Sequence, residues 1–256
     1  MVASGMHVAV SEFVPLPGAR VGRDPARAIK RGPSRVPPEV VAATQRDRLF
    51  DGLVHTVAQK GYANARVSDI CQAAGVTRPA FYALFEGKDD AFLATYRHGN
   101  DVLLRLMSRA HQAAPDWRTG GREALRVLLD VLASTPAFAA MAVVEVEAAG
   151  PAARRERNKL LLRFGKFFVD APEQPGLPMQ EELVMAVVGG IHASIYRYVA
   201  AGRVAELPNL LPLLSYFAAV PFIGQEEAMK DAEAARQPAP KTVAPCTPSD
   251  QQGHSN

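Results

Sequence analysis

The stretch RVSDICQAAGVTRPAFYALFEGK, from Arg66 to Lys88, narrows the possible folds more than any other part of the chain. Val67, Ile70, Cys71 and Ala74 recur at helical spacing, which predicts a short helix with one apolar face and with Ser68, Asp69 and Gln72 outside. Gly75 stops it, because glycine accepts a left-handed backbone without a Cβ penalty. Thr77 is suited to cap a second helix, expected over Thr77 to Phe85, whose first turn tolerates Pro79. There Phe81, Leu84 and Phe85 share the inward side, while Arg78 and Tyr82 share the other. Two short helices joined by a glycine turn form a helix-turn-helix, and an exposed arginine and tyrosine on the second suit a DNA groove.

The flanking sequence predicts more helices and no strand. Pro37 and Pro38 precede a segment in which Leu49, Leu53, Val54 and Val57 mark one face and Gly61 supplies the stop. After Lys88, the residues Phe92, Tyr96, Leu103, Leu106 and Ala110 continue one long helix, with Asp89 and Asp90 well placed at its positive end. Pro115 and the Gly120–Gly121 pair are expected to interrupt it. Three helices then follow, separated at Pro136 and at Gly150–Pro151. A proline-rich loop over residues 171–178 precedes a helix ending near Gly202. The last helix is expected either to be kinked by Pro212 or to start there. Beyond Gly224 periodicity fades and a disordered tail is expected. The expected layout is all-α: a basic, disordered leader over 1–37, a helix-turn-helix head with its linking helix over 38–110, a helical body over 111–224, and a tail over 225–256.

With 256 residues, 48% of them hydrophobic, the chain can bury a sizeable core. Its net charge of +3 is modest, but Arg20, Arg23, Arg27, Lys30, Arg31 and Arg35 precede the head with only Asp24 among them. Such a leader suits phosphates or a minor groove, a solvated tail being the other reading. Cys71 and Cys246 make neither a disulfide framework nor a metal spacing, so a reducing cytoplasm and no cofactor or metal are expected. The first residues lack the apolar core of a secretory signal. The most apolar run, Leu183 to Tyr196, falls short of a membrane span, so no membrane partner is expected.

The segment GYANARVSDICQAAGVTRPAFYALFEGKDDAF resembles the DNA-binding signature of TetR/AcrR transcriptional regulators. It shares a Gly-aromatic pair, an Ile-containing helix, Ala-Gly-Val-Thr, Phe-Tyr-x-x-Phe, and a lysine followed by acids. Ala65 and Arg66 depart from the usual hydroxyl residues, Leu84 from a common aromatic, and Gly87 from a usual serine. The resemblance covers roughly Gln45 to Leu106. It implies a helical C-terminal ligand-binding and dimerisation domain, and a Tyr82 that touches DNA phosphate.

From their positions, Arg78 is the candidate for base-edge or phosphate contact, Thr77 for a cap that also donates to phosphate, and Pro79 for a thymine methyl or turn-shaping role. Lys88 is expected near phosphate at the start of the long helix; Arg66 and Ser68 are further candidates. In the body, Ala186, Gly190, Ala193 and Arg197 form a seam that would let another helix approach, within the chain or, as the resemblance implies, across a homodimeric four-helix bundle. Glu145, His192 and Tyr196 are candidates to line a pocket for a mainly apolar effector, with satisfied core residues as the alternative. The expectation is a homodimeric regulator on a palindromic double-stranded operator, a repressor released by that effector. A nonspecific nucleoid-type DNA binder, or a helical-bundle enzyme lacking any recognisable catalytic constellation, are the other readings.

Overall fold

A computed structural model describes residues 15–20, 37–173 and 180–236, and among them there are helices and no strand. The first helix, α1 (Pro38–Lys60), begins at its proline and packs on α2 (Val67–Ala74). Gly75 turns the chain with φ 61°, the left-handed conformation that a side chain would disfavour. Arg48 of α1 donates from Nη2 to the Gly75 carbonyl at 3.1 Å, so the first helix fastens the turn from behind. The next helix, α3 (Arg78–Tyr82), is shorter than expected; Thr77 caps it by accepting from the Ala80 N–H at 3.4 Å. The residues after it leave the helix, yet Phe85 still turns inward and packs on Phe50 and Phe81.

One long helix, α4 (Lys88–Gln112), carries the chain into the body and packs along α5 (Trp117–Ser134). The Gly120–Gly121 pair lies inside α5 and does not interrupt the helical pattern. Asp116 caps that helix by accepting the Thr119 N–H at 2.9 Å, and a Cβ on Gly120 would meet the His111 carbonyl at 2.9 Å. Then come α6 (Pro136–Ala139), a π-helical stretch (Ala140–Glu145), α7 (Val146–Ala148) and α8 (Pro151–Phe164) with a 3-10 turn (Gly165–Phe168). Most of the expected 171–178 loop lies outside the described residues. The last helices are α9 (Gln180–Ala200) and, after a 3-10 segment (Val204–Leu210), α10 (Leu211–Ala235). Pro212 stands in the first turn of α10, so it marks a start and not a kink.

The expected tail does not begin at Gly224. That glycine breaks α10 with φ 79°, but helix resumes to Ala235, because Ala228, Ala232 and Ala235 are buried and Arg118 holds Asp231. Part of the expected disordered leader is also placed: Leu16 is buried, Gly18 donates its N–H to Asp51 at 2.8 Å, and Arg20 lies 3.7 Å from the same carboxylate. Arg23, Arg27, Lys30, Arg31 and Arg35 lie outside the described residues.

Two segments, Gln180–Ala200 and Val204–Ala235, are long and apolar enough to cross a membrane by length and composition, contrary to expectation. The sequence window ended too soon: α9 runs on past Tyr196 to Ala200. Only 22% and 39% of their most apolar windows are buried within the chain. The main core is continuous, passing from Phe81 and Phe85 in the head through Phe92 and Tyr96 to Leu129, Phe138 and Leu214 in the body.

Candidate nucleic-acid interface and internal cavity

The head presents Arg66, Ser68, Thr77, Arg78, Pro79 and Tyr82 as exposed residues, with Tyr82 51% exposed. All six are therefore open to solvent on, or at the starts of, the two short helices. Phe81 holds α3 in place: it is fully buried and meets Tyr82 edge-on, ring centroids 5.3 Å apart. Arg66 starts α2 without a hydroxyl cap. Its backbone N–H is satisfied by Asp69 Oδ2 at 3.1 Å, and Asp69 is held by Lys60 at 3.0 Å, whose ammonium keeps that carboxyl below the usual range.

Lys88 differs from the other six. It is half-buried, its Nζ donates to the Tyr62 carbonyl at 2.9 Å, and it lies 4.2 Å above the Tyr62 ring. Its charge braces the turn after α1 against the start of α4, at the helix start where the sequence expects it near phosphate. Tyr62, which sequence reasoning passed over, is the centre of this junction. Its hydroxyl donates to Asp89, its ring packs edge-on against Phe92, and its N–H donates to Glu145 Oε2 at 2.6 Å. The signal for it was the aromatic residue directly after the Gly61 stop.

That last bond also relocates Glu145. It was expected at a ligand cavity, but it is absent from the cavity wall and ties the π-helical stretch to the head, because the extra residue per turn directs it towards α1. His192 does line the cavity, and burial, helped by the nearby Arg157 charge, lowers its pKa. Tyr196, expected beside it, faces outward and is 38% exposed. Two helix positions four apart diverge by enough of a turn for one to reach the interior and the other to miss it.

The cavity measures about 120 Å3 and is walled mainly by Leu103, Leu125, Leu128, Phe164 and Ile195. Tyr96 and Ser215, which also line it, are 2% and 5% exposed, and among the described residues their hydroxyl oxygens find no hydrogen-bond partner. Burial holds the Tyr96 hydroxyl well above the ordinary tyrosine range, so it stays a donor. Arg118, Arg122 and Arg157 reach the wall with Asp231 as the carboxylate. Sequence reasoning missed these residues. Ser215 in the apolar run LLPLLSYF was the visible signal; Tyr96 read as one more core aromatic. No group of three His, Cys, Asp or Glu side chains among the described residues could hold a metal ion.

Of the seam residues, Ala186, Ala193 and Arg197 are exposed on α9, whereas Gly190 is used within the chain. A Cβ there would come 2.7 Å from the Phe217 ring of α10, so this position sets the approach of the last two helices.

A short capped helix presented over a buried aromatic, fastened by a preceding helix and joined to a helical body, forms a helix-turn-helix, a geometry suited to placing a helix in a DNA groove. Residues 49–95 match the family model of bacterial regulatory proteins, tetR family. That match covers the helix-turn-helix and the start of α4, so it is the head of this chain that is similar to the family. The HTH-type transcriptional regulator BetI of Brucella suis biovar 1 (strain 1330) is 33% identical over 95 residues, which cover 37% of this chain and 46% of the relative. The match thus spans less than half of that curated protein. The fatty acid degradation regulator FadR from Bacillus halodurans shares the fold with a TM-score of 0.61 at 18% identity, covering 68% of this chain and 97% of that one. A transcriptional regulator FadR from Bacillus subtilis, solved in complex with stearoyl-CoA, gives 0.54 at 16% identity, covering 65% and 96%.

Proposed function

We propose that the protein is a cytoplasmic, homodimeric repressor that leaves a palindromic operator when a small, mainly apolar molecule enters the cavity of its body. The observation that carries this reading is the continuity between an exposed Arg78–Tyr82 surface and a cavity whose wall includes Tyr96 of the same α4 that begins behind that surface. Arg78 reads a base edge or a phosphate; Tyr82, Thr77, Pro79, Arg66 and Ser68 contact backbone or groove.

The dimer face is the exposed side of α9 and α10, where Ala186, Ala193, Tyr196, Leu213 and Phe217 leave apolar surface uncovered. A second copy covers it better than a membrane would, since α10 is broken at Gly224 and then carries Glu226, Glu227, Lys230 and Asp231. A large exposed apolar face of this kind marks an interface. The Bacillus subtilis neighbour, solved in complex with stearoyl-CoA, supports ligand binding by a protein of this fold.

The test is selection of genomic fragments by the purified protein, followed by footprinting. A two-fold-symmetric protected site supports the proposal, and uniform binding to unrelated DNA favours a nucleoid-type binder instead. Ala193→Arg, placing a charge in the seam, should lower dimer content in sedimentation and operator affinity together.

A further inference from the structure

We propose that the cavity selects a small aromatic or compact aliphatic molecule bearing an acceptor oxygen, a carbonyl or a carboxylate, held by the Tyr96 hydroxyl with Ser215 as a second polar contact. This deepens, and rests on, the reading of the cavity as the effector site. A buried hydroxyl without a partner is uncommon and destabilising, and two of them line one cavity on two different helices, α4 and α10. Both sit on a wall that is mainly apolar, the arrangement by which a pocket fixes the orientation of a ligand.

The polarity of the ligand follows from which polar groups on the wall are already paired. Arg157 lines the cavity and its charge acts on both Tyr96 and His192, but it is ion-paired with Glu147, and Glu156 acts on Tyr96 in the opposite sense. His192 is biased towards its neutral form by burial. Among the charged residues on the wall, Arg118, Arg122 and Arg157 outnumber Asp231, and Arg118 and Arg122 both face that carboxylate. The arginines are thus paired with carboxylates, whereas the Tyr96 and Ser215 hydroxyls have protons to donate, so the free polar capacity of the wall favours an acceptor oxygen over an ammonium, which could only donate. Size follows from volume: about 120 Å3 is close to the ~150 Å3 that accommodates benzene in an apolar core. As it stands, the cavity takes a ring with a short substituent, not a long chain.

The experiment is calorimetric titration of the full chain with four probes of matched size: acetophenone, benzoate, 1-phenylethylamine and cumene. The two oxygen probes should bind roughly tenfold more tightly than cumene, about the strength of one buried hydrogen bond. The amine should bind least. Tyr96→Phe should remove most of the oxygen advantage while leaving cumene unaffected, and Ser215→Ala should remove a smaller part. Tighter binding of benzoate than of acetophenone assigns a carboxylate, and the reverse a neutral carbonyl. Binding of the amine or of cumene as tight as that of the oxygen probes, an oxygen advantage that survives both substitutions, or no binding of any probe overturns the proposal. Repeating the titration on a preformed operator complex separates it from the effector reading. An oxygen probe that binds through Tyr96 but leaves DNA affinity unchanged removes the release mechanism and keeps the ligand class.

Discussion

Glu145 accepts a 2.6 Å hydrogen bond from the backbone N–H of Tyr62, joining the π-helical stretch of the body to the turn behind the helix-turn-helix head. Neighbouring residues of that stretch, Ala142 and Val143, line the cavity. The wall of the cavity and the turn that anchors Lys88 are therefore a few residues apart. Glu145→Ala should leave the partly buried Tyr62 N–H unpaired and cost about 1–2 kcal/mol in denaturant unfolding. Glu145→Gln, which keeps an acceptor oxygen, should cost less. Hydrogen exchange at the Tyr62 amide reports the same loss directly: unaltered protection in the alanine variant would show that the bond carries no weight.

Arg78 lies exposed in the first turn of α3, beside Thr77 and Pro79. Arg78→Ala should weaken specific operator binding by about 1–3 kcal/mol and relax preference at one position. The fold should be retained, since the inward anchor of α3 is Phe81. Wild-type affinity and selectivity in a fluorescence titration would remove Arg78 from the interface.

Asp231 receives bonds from Arg118 Nε at 3.1 Å and Nη2 at 3.1 Å, and Arg118 also donates to Glu227 at 2.9 Å. This cluster holds the part of α10 beyond Gly224 against the start of α5. Asp231→Ala should lower stability by about 2 kcal/mol, because charge-assisted bonds are lost while Arg118 remains. Limited proteolysis should then cut between Gly224 and Arg236 at a higher rate, with the head still intact.

The bonds from Arg97 and Lys159 lower the Glu156 pKa from 4.5 to about 2, and the Arg97 contact joins α4 to α8. A carboxyl with a depressed folded pKa stabilises the fold above its ordinary range and loses that contribution as pH falls through the folded value. The stability difference between wild type and Glu156→Gln should accordingly be constant above about pH 5 and shrink as pH falls from 4.5 towards 2. Denaturant midpoints measured across that range check it; a difference independent of pH would show that ionised Glu156 contributes nothing.

The head was legible in the sequence because its determinants are local. The spacing of Val67, Ile70, Cys71 and Ala74, the left-handed turn at Gly75 and the Thr77 cap each depend on residues a turn or two apart, and the structure places all of them as the spacing implies. What only tertiary structure decided depends on contacts far apart in the chain. Glu145 meets Tyr62 across 83 residues and Arg118 meets Asp231 across 113, so neither the head-to-body junction nor the helix after Gly224 leaves a local pattern. The same holds for the cavity: Tyr96 and Ser215 share it only because α4 and α10 fold around α5. Helical periodicity says which side of its own helix a residue occupies. It does not say what stands opposite, and that decides whether a polar side chain is satisfied, exposed like Tyr196, or left to bind something else.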